Sequence, residues 1–327
     1  MRAGSMRALH PDAENLLALM RQAGRPALEN LSPADARLAY AATRAALQLP
    51  PEATAETRDF TIPGPGGALR LRLHRGAGTP ADQDIPCLLY LHGGGWVLGD
   101  LDSHDGICRR LANEGACCVI AVDYRLAPEH AFPAALDDSV AALTWLARHA
   151  AQLRIDPARI AVGGDSAGGN LAAVLALMGR DGSVPQPVFQ LLFYPAVDLA
   201  MTSASYQPAS EGLPLTEATM RYFIGHYVPD PAQRMDWRAS PLHAASLAGV
   251  APSLVVTVGH DPLCGEGRAY AQRLESDGVR VTALHLSDHP HGLLTMGRIF
   301  AAAEPLLAFG GAALRDAWRQ KQAVQSA

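Results

Sequence analysis

An α/β architecture, one sheet with helices packed around it, is what this chain predicts, and three stretches predict it. Arg159-Ile160-Ala161-Val162 is a short apolar run of strand type; Gly163-Gly164-Asp165-Ser166-Ala167-Gly168-Gly169-Asn170 follows it, and then the helical run from Leu171 to Met178, which together make a strand, a sharp turn and a helix. Ile85-Pro86-Cys87-Leu88-Leu89-Tyr90-Leu91 reads as a buried strand bounded by a proline and runs into His92-Gly93-Gly94-Gly95-Trp96. Ser253 to Gly259, a helix around Gly267 to Asp277 and a strand from Val279 to Leu286 form a third alternation. At 327 residues, length alone allows about two domains. The motif order, however, spreads one sheet from about Phe60 to Leu286, so the expectation is a single α/β domain carrying a cap.

Taken in order, residues 1–50 read as N-terminal cap helices. Asp12 is the expected cap of a first helix with Leu16, Leu17 and Met20 on one face, and Ser32-Pro33-Ala34-Asp35 starts a second. Residues 51–199 hold the first part of the core, and 200–235 form a cap insertion. In it, Met220, Phe223, Ile224 and Tyr227 make an apolar helical stripe between Thr216 and Tyr227. Residues 236–327 complete the core. Arg298 to Arg319 reads as a closing helical region and Gln320 to Ala327 as a frayed tail. Met1 to Ser5 are either an appended remnant or an upstream start before Met6. The two cap segments are expected to meet over Ser166 and line a pocket.

Composition sets limits on partners. The chain is 49% hydrophobic and 18% charged, with 30 glycines and 24 prolines to serve many short connections. Its formal net charge of −5, without a basic stripe, argues against nucleic acid. No apolar run approaches the 18 or so residues of a spanning helix, and the basic N-terminus lacks a signal-type apolar stretch. A cytoplasmic protein without stable membrane association is therefore expected, with a homodimer left open. Cys87, Cys108, Cys117, Cys118 and Cys264 are odd in number and without paired spacing, as buried reduced thiols would be.

The chemistry is carried by G-x-S-x-G. A turn this tight brings Gly164 and Gly168 so close to neighbouring backbone that a Cβ at either would collide, and it holds Ser166 in a strained conformation with its hydroxyl projecting from the sheet edge. The Ala167 N–H, at the start of the helix, points where charge would develop on an attacked carbonyl oxygen. The glycine triplet leaves peptide N–H groups bare, so Gly94 and Gly95 are the expected oxyanion donors beside Ala167, with Gly93 next. A phosphate cradle fails for want of a Gly-Lys-Ser/Thr ending; a structural glycine turn is the bland alternative.

A serine hydroxyl needs a base, and the base an orienting carboxylate. The turn resembles that of the α/β-hydrolases, and the resemblance implies the chain order nucleophile, acid, histidine. Asp261 follows the strand ending at Gly259, and His291 follows the strand ending near Leu286, so the triad closes as Ser166, Asp261, His291. His289 is the rival base. Asp288 is the rival acid, but it sits too close in sequence to the histidine it would orient. His285, His289 and His291 lack the cysteines or the H-E-x-x-H pattern of a metal site, so neither metal nor cofactor is expected. Asp123 to Glu129 reads as a structural loop tied by Asp123 and Arg125. Ala127-Pro128 and Phe132-Pro133 are candidates for cis peptides. His92 and Asp165 are given supporting roles, with Asp165 facing away from substrate.

These motifs together resemble the hormone-sensitive-lipase-like branch of the α/β-hydrolases, chiefly bacterial carboxylesterases, in the subgroup with Asp before the nucleophile. His92 to Gly95, Asp123 to Glu129, Phe132-Pro133-Ala134, Gly164 to Asn170, Asp261-Pro262-Leu263 and His291-Gly292 all fall in family order, over roughly residues 50 to 310. The resemblance implies an α/β-hydrolase fold, with a central, mostly parallel, twisted sheet of about eight strands flanked by helices and a helical cap. It favours His291 over His289 because Gly292 follows. It implies a serine carboxylesterase acting on short- to medium-chain acyl esters through an acyl-enzyme. A deacetylase or amidase of a specific metabolite would use the same triad, and a non-catalytic small-molecule receptor on this fold is an alternative of another class. A lipase at lipid interfaces finds no long amphipathic lid in the sequence. Two departures stand out. Gly265 occupies a position where the family usually carries an acid, which is expected to loosen the acid loop. Leu293 replaces a common aromatic, which is expected to widen the pocket.

Overall fold

Every apolar run singled out above becomes a strand or helix in the computed structural model, which describes residues 8–206 and 212–325. Two helices, α1 (Pro11–Ala23) and α2 (Pro33–Leu47), lead into a sheet of eight strands. These are β1 (Glu56–Gly64), β2 (Gly67–Arg75), β3 (Ile85–Leu91), β4 (Cys118–Val122), β5 (Ile155–Asp165), β6 (Gln190–Phe193), β7 (Ser253–His260) and β8 (Val281–Pro290). Between them lie α3 (Asp105–Gly115), α4 (Ala134–His149), α5 (Ala167–Arg180), α6 (Glu217–Tyr227) and α7 (Cys264–Ser276), and α8 (Ala303–Gln325) closes the chain.

The sheet order is β1-β2-β4-β3-β5-β6-β7-β8. The first hairpin is antiparallel, β2 joins β4 antiparallel, and all later pairs are parallel. Parallel pairing needs helical crossovers, which cover both faces and demand strands apolar on both sides. The unbroken burial of β3 and β4 is the result. On β3, Cys87, Leu89 and Leu91 enter the core layer that also holds Leu143 of α4, Leu171 of α5 and Leu274 of α7. Leu88 and Tyr90 enter the opposite layer with Ile107 and Leu111 of α3 and Leu307 and Trp318 of α8. Strand period two thus sorts one apolar run into two cores.

Local signals at the starts of α2 and α6 hold. Ser32 caps α2 by accepting from the Asp35 N–H, and Thr216 caps α6 by accepting from the Thr219 N–H. For α1 the expectation fails: His10 is the cap, its Nδ1 accepting from the Asp12 N–H, while Asp12 Oδ2 accepts from the Ala301 N–H at 3.0 Å. Its inner face is Ala13 and Leu16, and Met20 is 41% exposed. The closing helix starts later than expected, at Ala303, and runs past Arg319 to Gln325; Leu306, Leu307, Leu314 and Trp318 carry its packing in the layer with α3. Met1 to Ser5 lie outside the described residues, as do 207–211 within the expected cap insertion.

The five cysteines form no disulfide, and Cys87, Cys108, Cys117 and Cys118 are buried. Both expected cis bonds, Ala127-Pro128 and Phe132-Pro133, are cis. No helix among the described residues is long and apolar enough to cross a membrane.

Candidate active site

The turn between β5 and α5 is shaped by what cannot fit there. A Cβ on Gly168 would lie 1.8 Å from the Leu91 carbonyl oxygen, and one on Gly164 would lie 2.3 Å from that same oxygen and 2.5 Å from the carbonyl carbon of Gly168. With β5 pressed this closely on β3, Ser166 takes φ 55° and ψ −119°, a conformation a side chain adopts only when its surroundings enforce it. The Ser166 N–H donates to Phe193 O at 2.9 Å, and Ser166 O accepts from the Asn170 N–H and the Ala196 N–H, so the turn is pinned on both sides.

The expected partners converge on this serine. His291 Nε2 stands 2.9 Å from Ser166 Oγ, and His291 Nδ1 stands 2.8 Å from Asp261 Oδ2. Asp261 Oδ1 accepts from the Leu263 N–H at 2.8 Å, which fixes the carboxylate against the start of α7. This order of contacts assigns the Nδ1–H to Asp261 and leaves Nε2 to accept from the serine hydroxyl. All three are buried, and the Tyr194 ring meets the imidazole edge-on at 4.6 Å. His289 turns elsewhere: its Nδ1 lies 2.8 Å from Asp288 Oδ1 and its ring packs near His10 and Phe300.

The glycine triplet divides by role. Gly94 and Gly95 take φ 122° and 59°, and no acceptor among the described residues takes their N–H groups or that of Ala167. A Cβ on Gly95 would strike the Phe223 ring at 2.2 Å, so α6 lies directly over this loop. Gly93, the expected further donor, is a correction: its N–H already donates to Asp165 Oδ1 at 3.0 Å. Asp165 faces away from the serine hydroxyl, as anticipated. Its Oδ1 also accepts from the Tyr90 hydroxyl at 2.8 Å, and His104 Nε2 lies 3.2 Å away. Burial works to raise this carboxyl, but His104 and the Tyr90 hydroxyl hold it below the ordinary value. One carboxylate thereby ties the glycine loop to the residue before the nucleophile. His92 stacks on Tyr124 at 4.2 Å, and the Tyr124 hydroxyl donates to His92 O at 2.7 Å. Burial pushes the His92 imidazole down to about 4, so it is neutral at pH 7.

The loop after β4 is structural, as read. Arg125 Nε and Nη2 grip the Asp138 carboxylate at 2.9 Å, and the Ala127 N–H donates to Trp96 O at 2.8 Å. The two cap segments meet where Thr219 Oγ1 donates to Glu29 Oε2 at 2.9 Å. The departure at Gly265 acts otherwise than expected. Ser205 Oγ accepts from the Gly265 N–H at 3.0 Å and donates to Pro262 O at 2.5 Å, so a neighbouring serine ties the acid loop. Leu293 is fully buried in the layer against α8. Glu266, the residue after Gly265, accepts from the Val197 and Asp198 N–H groups and the Tyr206 hydroxyl. Tyr90, His104, Tyr194 and Glu266 were not singled out from sequence, because each matters through a partner 60 or more residues away.

No group of three or more His, Cys, Asp or Glu side chains among the described residues is arranged to hold a metal ion. A cavity of about 90 Å³ lies beside the histidine loop, lined in part by Gln48, Leu49, Ile107, Leu294, Thr295 and Leu307, and contains none of the triad.

Known proteins are similar in both sequence and structure. A family model described as alpha/beta hydrolase fold matches residues 88–295. The carboxylic ester hydrolase LipN of Mycobacterium tuberculosis is 41% identical over 75% of this chain and 66% of its own length. The ethyl acetate hydrolase of Pseudomonas putida is 40% identical over 73% of this chain and 76% of its own. An ester hydrolase from the metagenome of Lake Arreo, solved with a derivative of bipyridine phosphonate, superposes with a TM-score of 0.91 at 40% identity, covering 95% of this chain and 99% of that one. A thermostable esterase from Pseudomonas putida superposes at 0.90 with 33% identity, covering 96% and 98%.

Proposed function

We propose how the reaction runs in this chain, which belongs to the hormone-sensitive-lipase-like family of α/β-hydrolases and is a serine carboxylesterase. Ser166 is the nucleophile: its Oγ attacks the ester carbonyl while His291 Nε2 takes the hydroxyl proton. Asp261 holds the imidazole and stabilises its protonated form. The carbonyl oxygen, now negative, is held by the N–H groups of Ala167, Gly94 and Gly95, dipoles already aimed before the charge appears. His291 then protonates the leaving alkoxide, and the acyl group stays on Ser166. Water attacks this acyl-enzyme with His291 as base, which releases the acid and restores the serine. The observation that carries the scheme is the unbroken Ser166–His291–Asp261 relay, 2.9 and 2.8 Å, with the Ala167, Gly94 and Gly95 N–H groups meeting no acceptor among the described residues.

The substrates are small esters with short to medium acyl chains, a reading supported by the Phe223 ring of α6, which lies against Gly95 and limits the space over the glycine loop. The buried, unbridged cysteines support a reducing, cytoplasmic setting. The test is hydrolysis of p-nitrophenyl esters from acetate to long acyl chains, wild type beside Ser166→Ala. Turnover peaking at short to medium chains and lost in the variant is expected, as is a covalent organophosphate adduct on Ser166. A folded wild type inert on every chain length, or a variant as active as wild type, overturns the scheme.

A further inference from the structure

Helix α2 lies across the space between the two loops that carry the reaction. Near one end Arg37 Nε donates to Val97 O at 2.9 Å and Nη2 to Ala127 O at 2.8 Å, just beyond the glycine triplet. Two turns on, Arg44 Nη1 donates to Thr295 Oγ1, which donates in turn to Gly292 O at 2.9 Å, the residue after His291. The stretch of α2 from Arg37 to Arg44 therefore runs from the end of the glycine loop to the histidine loop, with Arg44 at the histidine end.

Arg44 is only 8% exposed, yet no carboxylate among the described residues pairs with it. Its Nε is closed off from water and meets no acceptor. The Tyr40 ring, 4.9 Å from the guanidinium carbon to the centroid, offsets the charge in part. The two site carboxylates are already committed, Asp165 to Tyr90, Gly93 and His104, and Asp261 to His291. A buried cation without a counter-charge is costly, and arginine tolerates it where an anion completes the site. A mere tether to Thr295 would need Nη1 alone. With Nη1 engaged and Nε enclosed, Nη2 is the donor left to an entering anion, and one charge-assisted bond from it to a carboxylate would offset the buried charge.

We propose that Arg44 is a specificity-determining residue that binds a carboxylate carried by the ester substrate itself, so that the preferred substrates are esters bearing a free acid group a few bonds from the scissile carbonyl. This rests on the esterase reading above.

Two matched pairs test it: mono-p-nitrophenyl glutarate against p-nitrophenyl pentanoate, with the charge on the acyl side, and butyryl glycolate against ethyl butyrate, with the charge on the alcohol side. In wild type the charged ester of at least one pair is expected to have the higher kcat/KM, with the preference shrinking as salt is added. In Arg44→Gln, which can still bond Thr295, the charged-to-neutral ratio should fall at least ten-fold, about 1.4 kcal/mol, while Arg44→Lys keeps part of it. A structural role would lower both members of a pair together and leave the ratio unchanged; unchanged ratios in both pairs overturn the proposal. If the variants do not fold, a wild type that prefers the neutral ester in both pairs overturns it. Turnover of the neutral esters, lost in Ser166→Ala, measures the esterase reading separately.

Discussion

Gly168→Ala adds one methyl group and should disable the enzyme. The new Cβ would sit 1.8 Å from Leu91 O, 2.4 Å from Leu91 C and 2.7 Å from His92 O, all backbone atoms at the end of β3. Ordinary contact begins near 3.4 Å, so the start of α5 and the end of β3 must separate by roughly 1.6 Å. No rotamer relieves this, because backbone lies on the far side and a methyl group has nowhere to turn. The displacement falls between Ser166 and Ala167 on one side and Gly94 and Gly95 on the other, the groups that must act on one carbonyl. A misplacement of about 1 Å typically costs about 10²-fold in rate, so kcat on p-nitrophenyl butyrate should drop by about 10²-fold or more. Overpacking should also lower stability by about 1–3 kcal/mol, read from the urea midpoint. Gly106→Ala is the control: it lies in α3 with the nearest heavy atom 3.8 Å from its Cβ, so it should leave kcat unchanged and add up to about 1 kcal/mol of stability. A Gly168→Ala enzyme with wild-type kcat and an unshifted midpoint would refute the steric reasoning.

Three further outcomes are expected. Asp165→Ala strands the Tyr90 hydroxyl and the Gly93 N–H in the interior, so it should cost about 2–5 kcal/mol in a denaturation midpoint and lower kcat; Asp165→Asn, which keeps one acceptor oxygen, should cost less, and equal losses would show that the bonds are not what matters. Burial holds His74 and His92 down at about 4 against an ordinary 6.5. The unfolded chain therefore binds these protons first, and the stability present above about pH 6.5 is lost as pH falls toward 4, by up to about 3 kcal/mol per histidine. Urea midpoints between pH 7.5 and 4.5 measure this, and a flat profile contradicts it. Finally, Gly265→Asp would drive a Cβ to 2.1 Å from Ser203 Oγ and should destabilise the acid loop, whereas Gly265→Asp with Ser203→Gly should recover much of the loss; strict additivity of the two changes in thermal midpoints would argue against a shared space.

The sequence by itself determined what depends on neighbours in the chain or on a strict order of motifs. The strand-to-helix turn at Ser166, the helix start at Ser32, the α6 stripe and the order Ser166, Asp261, His291 were all legible, because strand and helix periods and steric intolerance for a Cβ are local properties. Even the collision of Gly164 with Gly168 followed from the turn alone. What the tertiary structure decided are the partnerships between distant segments. The Gly93 N–H was taken from the reaction by Asp165, 72 residues on. Asp12 lost its capping role to His10 because Ala301 offered its carboxylate an N–H. The expected looseness at Gly265 vanished because Ser205 comes alongside. Arg44, an ordinary cation on a helix in sequence, became a buried one only when α2 was laid over Thr295. Burial and charge pairing are set by the packing of segments far apart in the chain, and the periodicity of each segment carries no record of which neighbour the fold will bring to it.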